Sequence, residues 1–288
     1  MDTIGVVGCG AMGAGMVENL LRNGFEVFIY DPDEGKMKTL EREGAVPGEN
    51  VQSVAKEVKF LLTSLPRTDI LMDVLYGEKG AFNAMESGTY VLDMGTTDVE
   101  ATRQAYEKAR EKGIAYFDCP VSGGPEGSRN GGLTIMVGGR EEAFPQIRQV
   151  LEAIGKQIHY IGESGAGQIV KLCNNMVVAG ITVLLSEAFL TGSKAGVAPR
   201  KIAEVMQAGS AGTRVMDVFG GNLLAETYEN VLFMLNHMSK DIDLYLKLAK
   251  QCGGAHFISD GVDELYRLAK MNGKGELDST AVAEVLRV

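Results

Sequence analysis

Hydrophobic and polar residues follow two different patterns along this chain, and the pattern changes near residue 163. In the first part, short apolar runs rich in β-branched residues alternate with segments whose apolar positions recur every three or four residues. This alternation predicts strands separated by amphipathic helices, and so an α/β fold with a doubly wound parallel sheet. The predicted strands are Thr3–Val7, Glu26–Tyr30, Lys59–Thr63, Thr89–Asp93, Ile114–Asp118, 131–139 and Gln157–Tyr160, and helices are predicted at 51–57, 68–76, 98–112 and 141–152.

Beyond residue 163, almost the whole sequence has helical spacing. Its first segment, 164–194, is apolar on nearly every side and would form a helix about 45 Å long. We therefore predict a first domain over 1–163 and an all-helical domain over 164–288, joined through a long interdomain helix at about 164–194. Shorter helices are predicted at 199–207, 211–219, 237–252, 259–271 and 279–286.

The few polar residues of the long helix form one stripe. Lys171, Asn175, Thr182 and Ser186 are separated by four, seven and four positions, which places them on the same side of a helix. A lysine and an amide side by side in an apolar helix form a candidate functional pair. The same pattern is also typical of a lysine that reaches solvent past an interface, and the local sequence leaves both interpretations open.

Composition narrows the class of protein. The 288 residues suggest two domains, and 45% hydrophobic with 23% charged residues is typical of a globular chain. The net charge of −10 argues against a nucleic-acid partner, which needs clustered basic residues. We expect no membrane partner, because the segment 164–194 carries Lys171 and Asn175 and is better explained as a buried helix. The amino terminus shows no export signal, so a cytoplasmic location is predicted.

Cysteines and histidines give no sign of a metal centre. The four cysteines form no Cys-x-x-Cys pair, and the three histidines lack ligand spacing. Reduced thiols and no metal site are therefore expected.

A glycine-rich turn follows the first strand. Gly8, Gly10 and Gly13 form a Gly-x-Gly-x-x-Gly pattern in a strand, turn and helix context, which predicts a Rossmann-type dinucleotide site with helix amides facing the pyrophosphate. Asp31 ends the second strand, 18 residues past Gly13. Its carboxylate would accept hydrogen bonds from the ribose hydroxyls and repel a 2′-phosphate, so NAD is favoured over NADP. An ordinary glycine-rich turn and an acidic turn residue before Pro32 are the alternative.

Four further candidate sites lie at or near the ends of predicted strands and helices. Ser64-Leu65-Pro66 and Met94–Thr97 follow strands and are candidate cofactor loops, although an ordinary turn and a helix cap explain them equally well. The turn Ser122-Gly123-Gly124 leaves backbone N–H groups unshielded and would suit a carboxylate, or is a flexible loop. Lys240-Asp241 is near a predicted helix start and, considered alone, is typical of a solvated face.

Taken together, four sequence blocks resemble the β-hydroxyacid dehydrogenase family over essentially the whole chain. The blocks are Gly8-x-Gly10-x-Met12-Gly13, Asp118-x-Pro120-Val121-Ser122-Gly123-Gly124, Gly162-x-x-Gly165-x-Gly167-x-x-x-Lys171-x-x-x-Asn175, and Phe233 followed by Lys240-Asp241. This family includes 3-hydroxyisobutyrate dehydrogenase, tartronate semialdehyde reductase and the glyoxylate/succinic semialdehyde reductases.

The resemblance implies a role for each matching residue. Lys171 would be the catalytic acid/base. Substrate would be bound by Ser122, Gly123, Gly124 and Asn175, with Phe233 and Asp241 lining the cleft. Cofactor would be bound by Gly8, Gly10, Ala11, Met12, Gly13, Asp31, Leu65 and Pro66, with Thr96 and Lys240 against the nicotinamide end.

Two departures from the family pattern bear on specificity. After the serine-glycine-glycine block the family often has Gly-Ala-x-x-Gly-Thr-Leu, whereas this chain has Gly127-Ser128 and then Gly131-Gly132-Leu133. The reductases tend to end the second strand with Asn-Arg to bind NADP, whereas this chain has Asp31-Pro32, which favours the NAD-linked hydroxyisobutyrate type.

The resemblance implies reversible oxidation of a small 3-hydroxy acid, such as 3-hydroxyisobutyrate, to its semialdehyde with NAD. Lys171 would need a pKa lowered towards neutrality, which desolvation and a second cation such as Lys240 would promote. The alternatives are an NADPH-dependent semialdehyde, glyoxylate or tartronate semialdehyde reductase, and a dinucleotide-binding protein without turnover. A long helix that is apolar on every side needs extra cover, which predicts a homodimer or homotetramer.

Overall fold

The computed structural model describes residues 2–287 and contains a nine-stranded sheet. The sheet order is β3-β2-β1-β4-β5-β6-β8-β7, with β9 beside β8. Its strands are β1 Thr3–Val7, β2 Glu26–Tyr30, β3 Val46–Pro47, β4 Phe60–Thr63, β5 Tyr90–Asp93, β6 Ala115–Asp118, β7 Val121–Ser122, β8 Leu133–Gly138 and β9 Gly155–Gly162. The predicted α/β fold is confirmed, and β1 and β2 have the predicted bounds.

Successive residues of the central strands enter cores on opposite faces of the sheet. Val6 and Leu62 belong to one buried cluster, whereas their neighbours Val7 and Leu61 belong to another. Strands that are apolar on both faces require cover on both sides, which is the reason for the doubly wound arrangement.

The sheet was expected to be parallel, but part of it is antiparallel, so the sheet is mixed. From β3 to β6 all neighbours are parallel, but β8 runs antiparallel to β6 and to β7. A parallel return needs a crossover that carries the chain back along the sheet. The only helix between β6 and β8 has six residues, Gly124–Arg129, which is too short for that return.

Seven helices accompany the strands. They are α1 Ala11–Arg22, α2 Glu34–Glu41, α3 Val51–Ala55, α4 Thr68–Tyr76, α5 Val99–Glu111, α6 Gly124–Arg129 and α7 Phe144–Ile154. The pattern missed α2 and α6 because neither has an apolar stripe. Residues 141–143, predicted as α-helix, form a 3₁₀ turn before α7.

Beyond the sheet, the chain is helical. The helices are α8 Ala166–Lys194, α9 Pro199–Ala208, α10 Arg214–Ala225, α11 Leu235–Cys252 and α12 Phe257–Met271. The predicted helix at 279–286 is instead a 3₁₀ helix, Ser279–Leu286. Its residues from Ser279 to Ala283 are all buried, so it lacks the solvent-facing side of an amphipathic α-helix.

The chain forms two compact units that divide between Lys171 and Leu172, within α8. The first unit contains the sheet, and the second has its own apolar core, which includes Phe189, Leu235 and Tyr266. The predicted domain boundary at 163/164 stays a prediction.

Candidate functional site

The glycine-rich loop between β1 and α1 has the backbone that a pyrophosphate site requires. Gly8 has a φ of 97°, a conformation that favours glycine. Gly10 caps α1 without a side-chain hydrogen bond, and no atom lies within 4 Å of the position a Cβ would take there. The first amides of α1, from Ala11 to Gly13, have no intrahelical partner by helix geometry. The loop therefore presents open donors to an anion, and it fits a dinucleotide phosphate.

Asp31 at the end of β2 is tied to this loop. Its Oδ2 accepts a hydrogen bond from the Cys9 amide at 2.8 Å, and its Oδ1 accepts one from the Asp33 amide at 2.9 Å. The Lys36 ammonium lies 3.7 Å from the same Oδ1. The buried carboxylate is thus held fixed beside the glycine-rich loop, where a ribose would be recognised.

Cys9 is not a nucleophile in this loop. Burial, and then the negative charge of Asp31, raise the pKa of its thiol to about 12. The side chain therefore remains protonated and acts as a small apolar group.

The loops after β4 and β5 meet the glycine-rich loop. A Cβ on Gly8 would collide with the Ser64 carbonyl and lie 3.1 Å from Leu65 Cδ2, and a Cβ on Gly95 would lie 3.1 Å from the Leu65 carbonyl oxygen. The structure therefore brings together three of the predicted cofactor segments, around Gly8, Leu65 and Thr96. Pro66 is exposed beside them.

Two buried carboxylates at the ends of neighbouring strands were missed from the sequence. Asp93 and Asp118 are paired in the register of β5 and β6. Asp93 accepts hydrogen bonds from the Thr63 hydroxyl, the Thr97 hydroxyl and the Gly95 amide, and burial raises its pKa to about 6. Burial also raises the pKa of Asp118. The sequence signal that could have indicated both residues is an acidic side chain at the end of a buried strand.

The polar stripe of α8 is buried as a whole, because Lys171, Asn175, Thr182 and Ser186 are each less than 9% exposed. The last two bond to their own helix: Thr182 donates to the Val178 carbonyl and Ser186 to the Thr182 carbonyl. They are therefore structural, whereas Lys171 and Asn175 are the candidates for chemistry.

The predicted carboxylate turn begins in β7 and ends in α6. Ser122 pairs with Thr134 of β8, and Gly123 and Gly124 have φ values of 135° and 63°. Both glycines thus adopt conformations that other residues rarely take. Gly123 is exposed, so its amide is available to a ligand.

Helix α6 ties this turn to the glycine-rich loop. The Ser128 hydroxyl donates to the Met12 carbonyl at 2.6 Å, and the buried Asn19 amide of α1 donates to the Ser128 carbonyl, also at 2.6 Å. Ser128 stands where the family often has alanine, so this chain adds a hydrogen bond between the two loops.

In the second unit, Asn175 and Asp241 form the centre of a polar cluster. The Asn175 amide nitrogen donates to Asp241 Oδ2 at 2.6 Å, and the Lys240 ammonium lies 2.9 Å from Asp241 Oδ1. Asn174 donates in turn to Asn175 Oδ1 at 3.0 Å. The structure therefore joins three of the predicted residues, Asn175, Lys240 and Asp241, in one network.

Phe233, predicted to line the cleft, is half-buried before α11. Its amide donates to Asp278 Oδ2 at 3.0 Å, and its carbonyl accepts from the Ser279 amide at 2.7 Å. The ring centroid lies 6.1 Å from that of His237. Asp278 and Ser279, at the start of the 3₁₀ helix, therefore set the position of Phe233. The sequence pattern did not predict these two contacts.

Neither a metal cluster nor a clear membrane segment stands out in the described residues. Across residues 2–287, no group of three or more His, Cys, Asp or Glu side chains is arranged to hold a metal ion. Helix α8 is long and apolar enough to cross a membrane by length and composition alone. Half of its most apolar 18-residue stretch is buried within the protein.

Similarity to known proteins agrees with the fold and with these loops. Residues 3–162 match the NAD-binding domain of 6-phosphogluconate dehydrogenase, and residues 165–286 match the NAD-binding domain of NADP-dependent 3-hydroxyisobutyrate dehydrogenase. A Rossmann-type NAD(P)-binding domain followed by a helical domain defines a dehydrogenase class. The chain belongs to the β-hydroxyacid dehydrogenase family, of the 3-hydroxyisobutyrate dehydrogenase type.

Individual relatives align along nearly their full length. The chain is 34% identical to 2-(hydroxymethyl)glutarate dehydrogenase of Eubacterium barkeri, over 98% of this chain and 94% of that one. It is 32% identical to 2-hydroxy-3-oxopropionate reductase of Escherichia coli, over 99% and 97%. The structure of Mycobacterium tuberculosis 3-hydroxyisobutyrate dehydrogenase with L-serine covers both chains fully, with a TM-score of 0.89 and 27% identity.

Proposed function

We propose that this protein oxidises a small 3-hydroxy acid, such as 3-hydroxyisobutyrate, to its semialdehyde with NAD, and catalyses the reverse reaction. The observation that carries the proposal is Lys171, a buried lysine one helical turn before Asn175. A protein that only binds a dinucleotide has no need of a buried proton-transfer group, so its presence favours an enzyme.

The proposed chemistry divides between the cofactor and this chain. A bound nicotinamide cofactor would supply the acceptor for the hydride that leaves the carbinol carbon of the substrate. Lys171 takes the hydroxyl proton as the carbon–oxygen bond becomes a carbonyl, and it returns that proton during reduction.

The other residues bind and orient the substrate. The unshielded amides around Ser122, Gly123 and Gly124 bind its carboxylate, and the Asn175 amide orients it from α8. Phe233 and Asp241 line the cleft, where the aromatic ring excludes water.

The cofactor preference proposed here rests on Asp31. This buried carboxylate, bonded to the Cys9 amide, would accept hydrogen bonds from the ribose hydroxyls and would repel a 2′-phosphate. The second candidate is an NADPH-dependent semialdehyde or glyoxylate reductase, and one observation favours it: the half-exposed Lys36 ammonium lies 3.7 Å from the same carboxylate and would attract a phosphate.

Assembly and location are also part of the proposal. We place the protein in the cytoplasm as a homodimer or homotetramer, with α8 as the helix that joins its two domains. Val177 and Leu184 on α8 are 60% and 63% exposed and seven positions apart, so one helix face presents apolar residues for burial in a partner copy.

A substrate screen tests the proposal directly. Hydroxy acids and semialdehydes are assayed with NAD(H) and with NADP(H) by absorbance at the nicotinamide band, for wild type and Lys171→Ala. Turnover of a 3-hydroxy acid with NAD that depends on Lys171 supports the proposal. Turnover only with NADPH and a semialdehyde favours the reductase, and binding without any turnover contradicts both.

A further inference from the structure

Gln168, in the first turn of α8, is fully buried and has no assigned role. Its Oε1 accepts a hydrogen bond from the Thr97 amide at 3.0 Å, and its Nε2 donates to the Gly95 carbonyl at 3.0 Å. The two bonds flank Thr96, the residue placed at the nicotinamide end. The Gln168 side chain therefore holds the loop after β5 on both sides of Thr96.

The backbone of the same turn is held independently. Asp118 accepts hydrogen bonds from the Gly165 amide at 2.8 Å and from the Gln168 amide at 3.0 Å. A Cβ on Gly167 would collide with the Met136 carbonyl oxygen and lie 2.9 Å from Asp118 Oδ2, so only glycine allows this close approach. The start of α8 is thus fixed to the end of β6, and the Gln168 side chain extends that fixed point to the loop after β5.

We infer that Gln168 is a positioning residue that sets the placement of Thr96 relative to Lys171, and this inference rests on the roles proposed above for those two residues. Lys171 lies three positions after Gln168, on the same side of α8. Any shift of the first turn against the loop after β5 therefore moves the proton-transfer group relative to the nicotinamide end. Hydride and proton transfer both depend on geometry at the scale of an ångström, so a loosened turn lowers the rate of the chemical step.

Charged and titratable groups around Gln168 explain why an amide is needed. Asp93 Oδ2 lies 3.5 Å from Nε2, so a second carboxylate here would face both Asp93 and the Gly95 carbonyl. The titratable groups on the packed elements are Asp93 on β5, Tyr116, Asp118 and Cys119 at β6, Arg103 on α5 and Lys171 on α8. An amide presents one donor and one acceptor without charge, which matches the Gly95 carbonyl and the Thr97 amide.

Gln168→Met tests the inference, because it keeps the length of the side chain and removes both hydrogen bonds. We expect kcat to fall on the order of 10–100-fold, while the Kd for NAD and the substrate KM change less than about threefold. Hydrogen exchange in peptides spanning residues 90–100 becomes faster, since the Thr97 amide loses its acceptor. Gln104→Met, on the exposed face of α5, is the matched control and leaves all of these quantities unchanged.

Gln168→Glu separates positioning from a loss of stability. The ionised carboxylate repels the Gly95 carbonyl and Asp93, but its protonated form restores the donor. The ratio of the variant kcat to the wild-type kcat therefore rises as pH falls from 8.5 to 5.5, and it rises more steeply than the same ratio for Gln168→Met, whose side chain has no ionisable group. A merely structural residue would change the melting temperature without this pH signature.

The outcomes also distinguish this inference from the proposed function. If Lys171→Ala is inactive and folded Gln168→Met keeps kcat within about twofold of wild type, the positioning role is overturned and the proposed function stands. If no hydroxy acid is turned over by wild type, the proposed function fails. Unchanged exchange over residues 90–100 in Gln168→Met overturns the positioning role in either case.

Discussion

The amide nitrogen of Asn175 donates to Asp241 Oδ2 over 2.6 Å, and both side chains are buried. In Asn175→Asp a second carboxylate replaces the donor. We expect the free energy of unfolding to fall by about 1–3 kcal/mol at pH 8. The loss becomes smaller at pH 5, where a protonated carboxyl again donates to Asp241. Urea unfolding at both pH values measures the effect.

Asn174→Asp is the matched control for this prediction. Asn174 is only half-buried and bonds to its neighbour rather than to Asp241. Its substitution is expected to cost less than about 1 kcal/mol at either pH. Equal losses in the two variants would contradict a specific bond between Asn175 and Asp241.

Lys171→Ala is expected to lower turnover on the order of 10²–10⁴-fold while NAD still binds, since the glycine-rich loop and Asp31 are unchanged. Lys171→Arg is expected to be nearly as inactive, because a guanidinium stays protonated and is larger. In wild type, oxidation speeds up with rising pH and reduction with falling pH. Steady-state kinetics and NADH fluorescence titration measure these effects, with the exposed Lys194→Ala at the end of α8 as control. Near wild-type turnover in Lys171→Ala would remove this lysine from the mechanism.

Asp31→Asn is expected to narrow the preference for NAD over NADP by about tenfold. This change corresponds to a loss of roughly 1.4 kcal/mol of repulsion between the Asp31 carboxylate and the 2′-phosphate. Glu41→Gln is the control, because it removes an exposed negative charge at the end of α2 and leaves the ion pair between Asp33 and Lys36 in place. The ratio of kcat/KM for the two cofactors is the measurement. A wild type that uses both cofactors equally would already refute the assignment.

Asp93 predicts a pH dependence of stability. Burial raises its pKa from 3.8 to about 6, so between these values the folded state binds more protons than the unfolded state, and stability falls as pH rises. Relative to Asp93→Asn, wild type therefore loses about 2 kcal/mol between pH 4 and pH 6. Urea unfolding across pH 4–8 measures the difference, and a constant or opposite difference would count against a raised pKa.

Val177→Lys on α8 is expected to dissociate the proposed oligomer, because a charge on the exposed apolar face cannot be buried against a partner copy. Met271→Lys is the control, since Met271 is 84% exposed and lies on a different helix, α12. Light scattering after size exclusion gives the mass. A wild type that is already a single chain would contradict the proposed assembly.

The sequence predicted those parts of the fold in which local pattern and burial agree. β1 and β2 are apolar runs bounded by turns, and α8 is continuous in its helical spacing, so each was found close to its observed bounds. Helix α6 has the sequence Gly-Pro-Glu-Gly-Ser-Arg without one apolar residue, and contacts of Ser128 and Asn19 with distant parts of the chain position it. No local pattern carries that information.

The candidate site likewise contains residues that local sequence predicted and residues that only tertiary contacts identify. Gly8, Asp31 and Lys171 stand in motifs whose spacing is itself the signal. Gln168 and Asp278 were invisible because their bonds reach Thr97 and Phe233 across 71 and 45 positions of the chain. Such residues become apparent only when tertiary contacts show which loops they fasten.

The division of the chain within α8 has a consequence for protein engineering. Lys171 is the last residue of one compact unit, and Leu172 begins the other, so no spare linker separates the part that holds the dinucleotide loop from the part that holds Asn175. A split version cut at this boundary would sever the helix between Lys171 and Asn175, the two residues proposed above to act on the substrate. Chimeras that exchange helical halves among relatives should therefore carry α8 over intact and place their fusion points in the turns before Ala166 or after Lys194.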